Sequence, residues 1–290
     1  MSTEKSTTKN NLQPPLGRGV RTFGLIGFPL SHSFSQKYFT DKFKKEDITD
    51  CEFKNFSLEN INEFSALLKN NPTLCGLSIT IPHKQNVIKF LDEIDPAAKH
   101  IGAVNCIRAS LRGQSPKQSP IEDRLLRPDQ STRTRNDVYL TGYNTDIFGF
   151  EQSLAPLLKS HHTQALILGT GGAAKAVAYV LDKLKIKYRS VSRSKGDIVY
   201  SSLNQNTINE HLLIINTSPL GMFPKVNDCP DIPYEFITPK HLLYDLTYNP
   251  EESLFLKIGK EKGAQIKNGL EMLHVQAEKA WKIWNDTPNP

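Results

Sequence analysis

The chain has 290 residues, of which 38% are hydrophobic and 23% are charged, so it can bury one large core or two of ordinary size. No stretch reaches the roughly 18 apolar residues that a membrane-spanning helix needs, and no apolar segment near the N-terminus indicates a secretory signal. The composition therefore excludes collagen-like chains, wholly disordered chains and helical membrane proteins.

The net charge of +6 is confined to two segments. Residues 1–21 and 108–135 together carry more than this excess, and the rest of the chain is close to neutral. Neither segment interleaves basic with aromatic residues, which argues against nucleic-acid binding. The four cysteines form no CxxC pair, so we expect free thiols of a reducing compartment and a cytoplasmic protein, without a metal site.

Strands alternate with helices after a leader over residues 1–21 that we expect to be disordered. The first series has predicted strands at 23–28, 51–56, 74–79, 103–107 and 138–143, with helices at 35–45, 58–69 and 82–94. Residues 110–136, rich in Ser, Gln, Pro and Arg, interrupt this series as a polar insertion at the tip of a hairpin. This alternation predicts an α/β fold with largely parallel sheets.

A second series of the same kind follows a helix at 147–158. Its predicted strands are 165–168, 188–192, 212–216, 242–246 and 265–267, its helices are about 173–185 and 252–262, and a final helix covers 269–284 behind an N-cap at Asn268. We therefore predict two α/β lobes with a cleft between them. Residues 22–146 and 268–286 form the first domain, and residues 147–267 form a Rossmann-like second domain.

A glycine-rich turn lies between the first strand and the first helix of this second series. Gly169, Gly171 and Ala174 fit G-x-G-x-x-[GA], the pattern in which glycines permit a tight turn and close backbone approach to a diphosphate. The next strand ends in Ser192, Arg193 and Ser194, with no carboxylate for a ribose 2′-hydroxyl. A guanidinium beside hydroxyls suits a 2′-phosphate, so the pattern favours NADP over NAD.

Polar residues also follow the strands of the first series, where the ligand sites of α/β sheets form. Each one, taken alone, is better explained as a helix cap or a surface residue than as a functional residue. These residues are Ser33, Ser35, Thr80, Lys84, Asn105, Asn144 and Asp146.

Eight collinear segments make the chain resemble the shikimate dehydrogenase family: GFPLSHSFS, LSITIPHK, GAVNC, GYNTD, LGTGGAAKA, NTSPLGM, DLTYNP and NGLEMLHVQA. The resemblance implies reduction of 3-dehydroshikimate to shikimate with NADPH, in aromatic amino acid biosynthesis. It runs from residue 23 to about residue 282 and leaves out only the leader and the insertion.

The resemblance also implies a role for individual residues. It makes Lys84 and Asp146 the catalytic pair and assigns the substrate carboxylate to Ser33 and Ser35, with Tyr248 nearby. It assigns the ring hydroxyls to Thr80, Asn105 and Gln276, the 2′-phosphate to Arg193, and the nicotinamide region to Gly269 and Met272. We further assign cofactor contacts to Gly169, Gly171, Gly172, Ala173, Ser192, Ser194 and Thr217.

Three positions depart from the family pattern, and none of them removes a catalytic group. Gln36 stands for the usual proline, and Ser78 and Ser192 stand for usual asparagines. If Lys84 lies in the first turn of the helix predicted at 82–94, the positive end of the helix dipole makes it a stronger acid, while Asp146 holds it protonated.

Two alternatives stay open from the sequence. One is a quinate/shikimate dehydrogenase that uses NAD, and the other is a non-catalytic ligand sensor on the same fold. Arg193 argues against the first, and the presence of both Lys84 and Asp146 argues against the second. We expect a small-molecule substrate, no nucleic acid and no membrane as partners, and either a monomer or a homodimer.

Overall fold

The structure is a computed structural model of the chain, and it describes residues 20–30, 34–111, 138–194 and 196–286. These residues form two compact units. Unit 1 contains the described residues of Met1–Ile94, Cys106–Gly142 and Trp281–Pro290, and unit 2 contains Asp95–Asn105 and the described residues of Tyr143–Ala280. The predicted α/β architecture with two units is confirmed.

Unit 1 is built on a six-stranded sheet in the order β2-β1-β3-β5-β6-β4. β1 pairs in parallel with β2 and β3, whereas β5 runs antiparallel to β3. Its strands are β1 (Arg21–Gly27), β2 (Cys51–Ser57), β3 (Leu74–Ile79), β4 (Glu93–Ile94), β5 (Cys106–Leu111) and β6 (Val138–Tyr143), its α-helices are α1 (Phe34–Lys45) and α2 (Phe64–Asn70), and 3-10 turns cover Ile61–Glu63 and Asn86–Phe90.

Aromatic side chains fill the core of unit 1. The rings of Phe39 and Phe53 stack with centroids 4.7 Å apart, and Trp284 stacks on Phe23 at 5.2 Å. The Trp284 indole also donates a hydrogen bond of 3.1 Å to the Ile107 carbonyl. The aromatic spacing of the last helix therefore has a packing role, as its periodicity predicted.

Unit 2 carries a parallel sheet in the order β12-β11-β10-β7-β8-β9. From the β9 edge, this is the order 3-2-1-4-5-6 of dinucleotide-binding sheets. Its elements are α3 (Pro96–Ile101), α4 (Thr145–Leu154), β7 (Gln164–Leu168), α5 (Gly172–Lys183), β8 (Lys187–Ser192), β9 (Ile198–Val199), α6 (Gln205–Glu210), β10 (Leu213–Asn216), β11 (Leu242–Asp245), α7 (Leu254–Glu261) and β12 (Gln265–Lys267), with 3-10 turns at Ala155–Leu157, Tyr200–Ser202 and Tyr234–Phe236. The last helix, α8 (Leu270–Asn285), belongs to unit 2 up to Ala280 and to unit 1 from Trp281 onward.

Each face of this sheet is covered by a separate hydrophobic core. Ile215 and Tyr244 belong to one core, and their chain neighbours Ile214 and Leu243 belong to the other. Because successive residues of a strand point to opposite faces, such strands are apolar throughout. The continuous runs that predicted β7, β10 and β11 have this cause.

The helix predicted at 82–94 is wrong. Residues 81–85 form turns, a 3-10 turn follows at Asn86–Phe90, and Glu93–Ile94 is a strand beside β6. The fourth predicted strand begins later than expected, at Cys106, so Asn105 precedes it. α3, β9 and α6 were not predicted.

The predicted leader and insertion lie outside the described residues, apart from their edges. Val20 is described, Arg21 begins β1, and residues 110–111 end β5. Arg21 is nearly buried, and its guanidinium donates to the Asp50 carboxylate at 2.9 Å. The ordered sheet therefore includes the last residue of the predicted leader.

Candidate active site

The glycine-rich turn joins β7 to α5 at the centre of the unit 2 sheet. Gly169 has a φ of +128°, a region that favours glycine, and its amide donates to the Val191 carbonyl at 2.8 Å. A Cβ at Gly171 or Gly172 would meet no atom within 4 Å. The turn is therefore tight at its first glycine and open at the next two, as close approach of a diphosphate requires.

The N-terminus of α5 faces this open side of the turn. Gly171 is the N-cap of the helix, and no side chain caps it. The first backbone N–H groups of an α-helix have no partner within the helix and carry a partial positive charge. The amides of Gly172 and Ala173 are therefore donors for an anion, in agreement with the two residues assigned from the sequence.

Thr217 follows β10, the strand beside β7 at which the order of the sheet reverses. Its amide and its hydroxyl both donate to the Leu168 carbonyl, at 3.0 and 2.9 Å. The Thr217 hydroxyl would lie 2.5 Å from a Cβ placed on Gly169. Thr217 and the glycine turn are therefore in contact at the topological switch point, the usual ligand position in such sheets.

The end of β8 carries the three residues assigned to the adenosine side of the cofactor. Arg193 and Ser194 are exposed, and the Ser194 amide donates to the Ser192 hydroxyl at 3.3 Å. Burial raises the pKa of Tyr200, and the Arg193 guanidinium lowers it, so the two side chains are neighbours. The exposed cation at this strand end fits a 2′-phosphate.

Four side chains of unit 2 converge on one polar cluster, which includes three residues predicted from the motifs. The Asn105 amide donates to an Asp146 carboxylate oxygen at 2.8 Å, and at 3.3 Å to Gln276, 171 residues along the chain. The side-chain oxygen of Asn105 accepts from the Thr145 backbone amide at 2.6 Å. The Thr145 hydroxyl donates to the side-chain oxygen of Gln276 at 3.1 Å. Asn105 is thus the shared partner of the cluster, and Thr145 links it a second time to Gln276.

Thr145 was not predicted from the sequence as a functional residue. It lies beside Asp146 in the first turn of α4, and it is 2% exposed. Asn105, rather than a residue of the helix itself, accepts from its amide and so completes the helix start from outside. Asp146 lies in that same first turn, where a carboxylate is stabilised by the helix dipole.

Lys84 and Thr80 lie in unit 1, in the loop that follows β3. The Thr80 amide donates to the Ile26 carbonyl at 2.8 Å, and the buried His83 ring forms a hydrogen bond of 2.6 Å with the Leu58 carbonyl. Lys84 is half-buried and lies in a turn. Since no α-helix begins at Pro82, the helix-dipole argument for its acidity is wrong. His83 was not singled out in the sequence, although it anchors this loop.

The remaining predicted residues lie in several elements. Ser33 lies outside the described residues, whereas Ser35 is buried on α1. Tyr248 is half-buried in the loop after β11, where burial raises the pKa of its phenol. Met272 is 8% exposed and belongs to a hydrophobic core of unit 2.

Gly269 begins the turn into α8 beside the β11 loop. Its amide donates to the Thr247 carbonyl at 3.0 Å, and a Cβ there would contact the Leu246 carbonyl oxygen. Five of the predicted residues thus fall into two clusters. Hydrogen bonds join Asn105, Asp146 and Gln276 in one of them, and Gly169 contacts Thr217 in the other.

Within the described ranges, no three His, Cys, Asp or Glu side chains are grouped so that they could hold a metal ion. The same ranges contain no helix with the length and hydrophobicity needed to cross a membrane. All four cysteines are free thiols.

Comparisons with known proteins agree on one family. Residues 25–107 match the family model described as the shikimate dehydrogenase substrate binding domain. The chain is 37% identical to shikimate dehydrogenase (NADP(+)) of Clostridium beijerinckii, over 91% of this chain and 92% of the relative. It is 32% identical to the enzyme of the same name from Desulforamulus reducens, over 92% and 90%.

A solved structure supports the same conclusion. Shikimate dehydrogenase 1 from Peptoclostridium difficile is 34% identical, and the superposition covers 93% of this chain and 94% of that one with a TM-score of 0.70. The similarity therefore extends over both units.

Proposed function

Because this chain belongs to the shikimate dehydrogenase family, we propose that it is an NADP-dependent oxidoreductase that interconverts 3-dehydroshikimate and shikimate by hydride transfer. This places it in the biosynthesis of aromatic amino acids. The observation that supports the proposal most directly is the cluster of Asn105, Asp146 and Gln276, because three residues from separate family motifs converge by hydrogen bonds.

The cofactor proposal follows from the switch point of the unit 2 sheet. NADPH, when bound, supplies the hydride that reduces the ketone. The open faces of Gly171 and Gly172 and the free amides at the start of α5 fit its diphosphate. Thr217 lies across the turn from them, and the exposed Arg193, with Ser192 and Ser194, fits the 2′-phosphate. Gly269 and Met272 are proposed for the nicotinamide region.

The substrate proposal rests on hydroxyl and amide donors. Ser33, Ser35 and Tyr248 hold the carboxylate, and Thr80, Asn105 and Gln276 hold the ring hydroxyls. The amide side chains both donate and accept, which matches hydroxyl groups of either orientation. We keep residues 22–146 with 268–286 as the substrate-binding domain and 147–267 as the NADP-binding domain.

Lys84 and Asp146 are the proposed catalytic pair. Reduction places negative charge on the ketone oxygen, and Lys84 delivers a proton to that oxygen as the charge develops. In the reverse direction Lys84 takes the proton from the shikimate hydroxyl. Asp146, fixed by the Asn105 amide, is the proposed catalytic partner of Lys84.

Free cysteine thiols support a cytoplasmic location, and we propose a monomer or a homodimer acting on a small molecule.

The test of the proposed activity is steady-state kinetics of the purified protein with shikimate and either NADP+ or NAD+. We expect shikimate-dependent reduction of NADP+ at a kcat/KM at least tenfold above that with NAD+. Preference for NAD+ and quinate would favour the quinate/shikimate alternative, and cofactor binding without turnover would favour a sensor.

A further inference from the structure

A carboxylate that has no part in the proposed chemistry lies buried at the carboxyl end of β11. Asp245 is 0% exposed. Its Oδ1 accepts from the Asn216 amide at 3.0 Å and from the Thr247 backbone amide at 2.9 Å, and its Oδ2 accepts from the Ser253 hydroxyl. These donors are all uncharged. A buried charge without a cationic partner is costly and needs an explanation.

The partners of Asp245 belong to three different segments of unit 2. Asn216 ends β10, Thr247 lies in the loop after β11, and Ser253 precedes α7. Ser253 occupies the N-cap position of α7, yet its side chain makes no capping bond. Its hydroxyl donates to the Asp245 carboxylate, whereas an N-cap serine ordinarily accepts from a backbone amide of its own helix.

The two loops joined in this way carry residues that we assign to ligands. Asn216 stabilises its own loop, because its side-chain Oδ1 accepts from the Ser218 backbone amide at 3.0 Å and from the Ser218 hydroxyl at 2.6 Å. Thr217 lies between these two residues. In the other loop, Tyr248 follows Thr247 directly, and the Thr247 carbonyl accepts from Gly269.

We propose that Asp245, in its ionised form, is a positioning residue that holds the Thr217 loop (residues 216–222) and the Tyr248 loop (residues 245–250) in their binding geometry. This inference rests on the proposed function, since Thr217 and Tyr248 are assigned to the cofactor and the substrate. An ionised carboxylate accepts hydrogen bonds at both oxygens, whereas a protonated one must donate at one of them. The Asn216 side-chain amide, the Thr247 backbone amide and the Ser253 hydroxyl all point at this carboxylate, an arrangement that the charged form satisfies without a donor of its own.

The neighbourhood allows this charge to be lost near neutral pH. Burial raises the pKa of Asp245 to about 6, against the effect of its hydrogen-bond donors. The Tyr234 phenol, in the 3-10 turn Tyr234–Phe236, donates to the Pro230 carbonyl at 2.8 Å. Burial raises the pKa of this phenol, and the Cys229 thiol and then the Asp245 carboxylate add to that effect. The groups presented by β10, the Tyr248 loop and α7 are Asn216, Thr247 and Ser253, which do not titrate. Acidification through about pH 6 thus protonates Asp245 and weakens the hold on both loops.

Asp245→Asn is the direct test, with Tyr244→Phe as the matched control. Tyr244 is the neighbour of Asp245 on β11, is equally buried, and contacts the Ser153 hydroxyl at 2.6 Å on the other face of the sheet. The control removes one buried hydrogen bond from the same strand without touching either loop. Ser253→Ala, which removes one donor to Asp245, is a milder second variant.

We expect Asp245→Asn to raise KM for shikimate and for NADP+ about tenfold at pH 8, the effect of one hydrogen bond to a charged group, with kcat within about threefold. Ser253→Ala should raise both by about two- to threefold, and Tyr244→Phe should leave both unchanged. In the wild type, KM for shikimate should rise as the pH falls from 8 to 5.5, a range in which the carboxylate of shikimate stays ionised. Asp245→Asn should lose that dependence.

Hydrogen–deuterium exchange of the ligand-free proteins separates this inference from the proposed function. Exchange in residues 216–222 and 245–250 should increase in Asp245→Asn and not in Tyr244→Phe. Unchanged exchange and KM in Asp245→Asn, or equal changes in Tyr244→Phe, would overturn the positioning role. Absence of shikimate-dependent NADP+ reduction by the wild type would instead contradict the proposed function, while the exchange data would still decide the role of Asp245.

Discussion

Alanine substitutions at Gly169 and Gly171, in the turn after β7, should have different effects. The first should lower the stability of the fold, and the second should lower the affinity for NADPH. At Gly169, a side chain is opposed by a φ of +128° and by the Thr217 hydroxyl, 2.5 Å from the new Cβ. The unfavourable φ costs about 1–3 kcal/mol. Displacement of Thr217 also removes its hydrogen bond to Leu168, which contributes about 1 kcal/mol. We therefore expect Gly169→Ala to lower the free energy of unfolding by about 2–4 kcal/mol, or the melting temperature by roughly 5–15 °C.

Gly171→Ala is the matched control, because Gly171 has a φ of −78° and open space around its Cβ position. The folded protein should lose under about 1 kcal/mol, the difference between glycine and alanine at an N-cap. Its added methyl group nevertheless occupies the space proposed for the diphosphate, so NADPH affinity should fall at least about tenfold.

Thermal unfolding by circular dichroism without cofactor, together with NADPH binding by fluorescence, measures both effects. Wild-type stability in Gly169→Ala would refute the argument from backbone strain. Wild-type NADPH affinity in Gly171→Ala would show that the diphosphate binds elsewhere.

Three further predictions concern the proposed site. Lys84→Ala should lower kcat about 100-fold or more, the usual contribution of a positioned acid–base group, while the KM for shikimate changes much less; near-normal turnover would contradict its catalytic role. Arg193→Ala should raise KM for NADP+ and leave NAD+ use unchanged, because NAD+ lacks the 2′-phosphate, and an equal loss with both cofactors would assign Arg193 to the fold or the shared adenosine. Replacement of residues 112–137 by a tight turn should leave kcat/KM unchanged, because β5 and β6 are neighbours in the sheet without it; a tenfold rise in either KM at constant melting temperature would make the insertion part of the site.

The sequence predicted the central strands of unit 2 closely, because β7, β10 and β11 are short, largely apolar and buried runs. β12 has its predicted bounds, and β7 and β10 differ by one residue at their starts. In unit 1, β3 and β6 have their predicted bounds. Apart from the half-buried β12, these strands were predictable because nearly all of their residues are buried, which leaves little room for polar residues.

The secondary structure predicted from the sequence was wrong over residues 82–101. Val87 and Leu91 are buried at a helix-like spacing, yet the chain there forms only turns, a 3-10 turn and the short β4. The true helix, α3, carried clear signals at both ends. Asp95 accepts from the Ala97 amide at 3.0 Å as its N-cap, and Gly102 closes the helix in the left-handed conformation. For a helix of only six residues, these two caps identify the bounds better than apolar periodicity does.

The family motifs contain the neighbours that fix the site residues, but no role was assigned to these neighbours from the sequence. His83 adjoins Lys84 and holds the Leu58 carbonyl, Thr145 adjoins Asp146 and holds Asn105, and Asp245 joins the loops of Thr217 and Tyr248. All three neighbours are nearly or fully buried. Burial of a polar side chain is unfavourable unless its hydrogen bonds are made, and each of these bonds fixes the backbone next to a residue proposed to contact a ligand.

Adjacent residues at these three places therefore have different roles. The residue that faces the ligand supplies the chemistry, and the buried residue beside it sets where that chemistry is delivered, a placement that must be accurate to well under 1 Å for efficient catalysis. Such neighbours look ordinary in the sequence, because a threonine or an aspartate near a strand end is equally expected as a cap. Only the long-range contacts made in the folded chain distinguish the two roles.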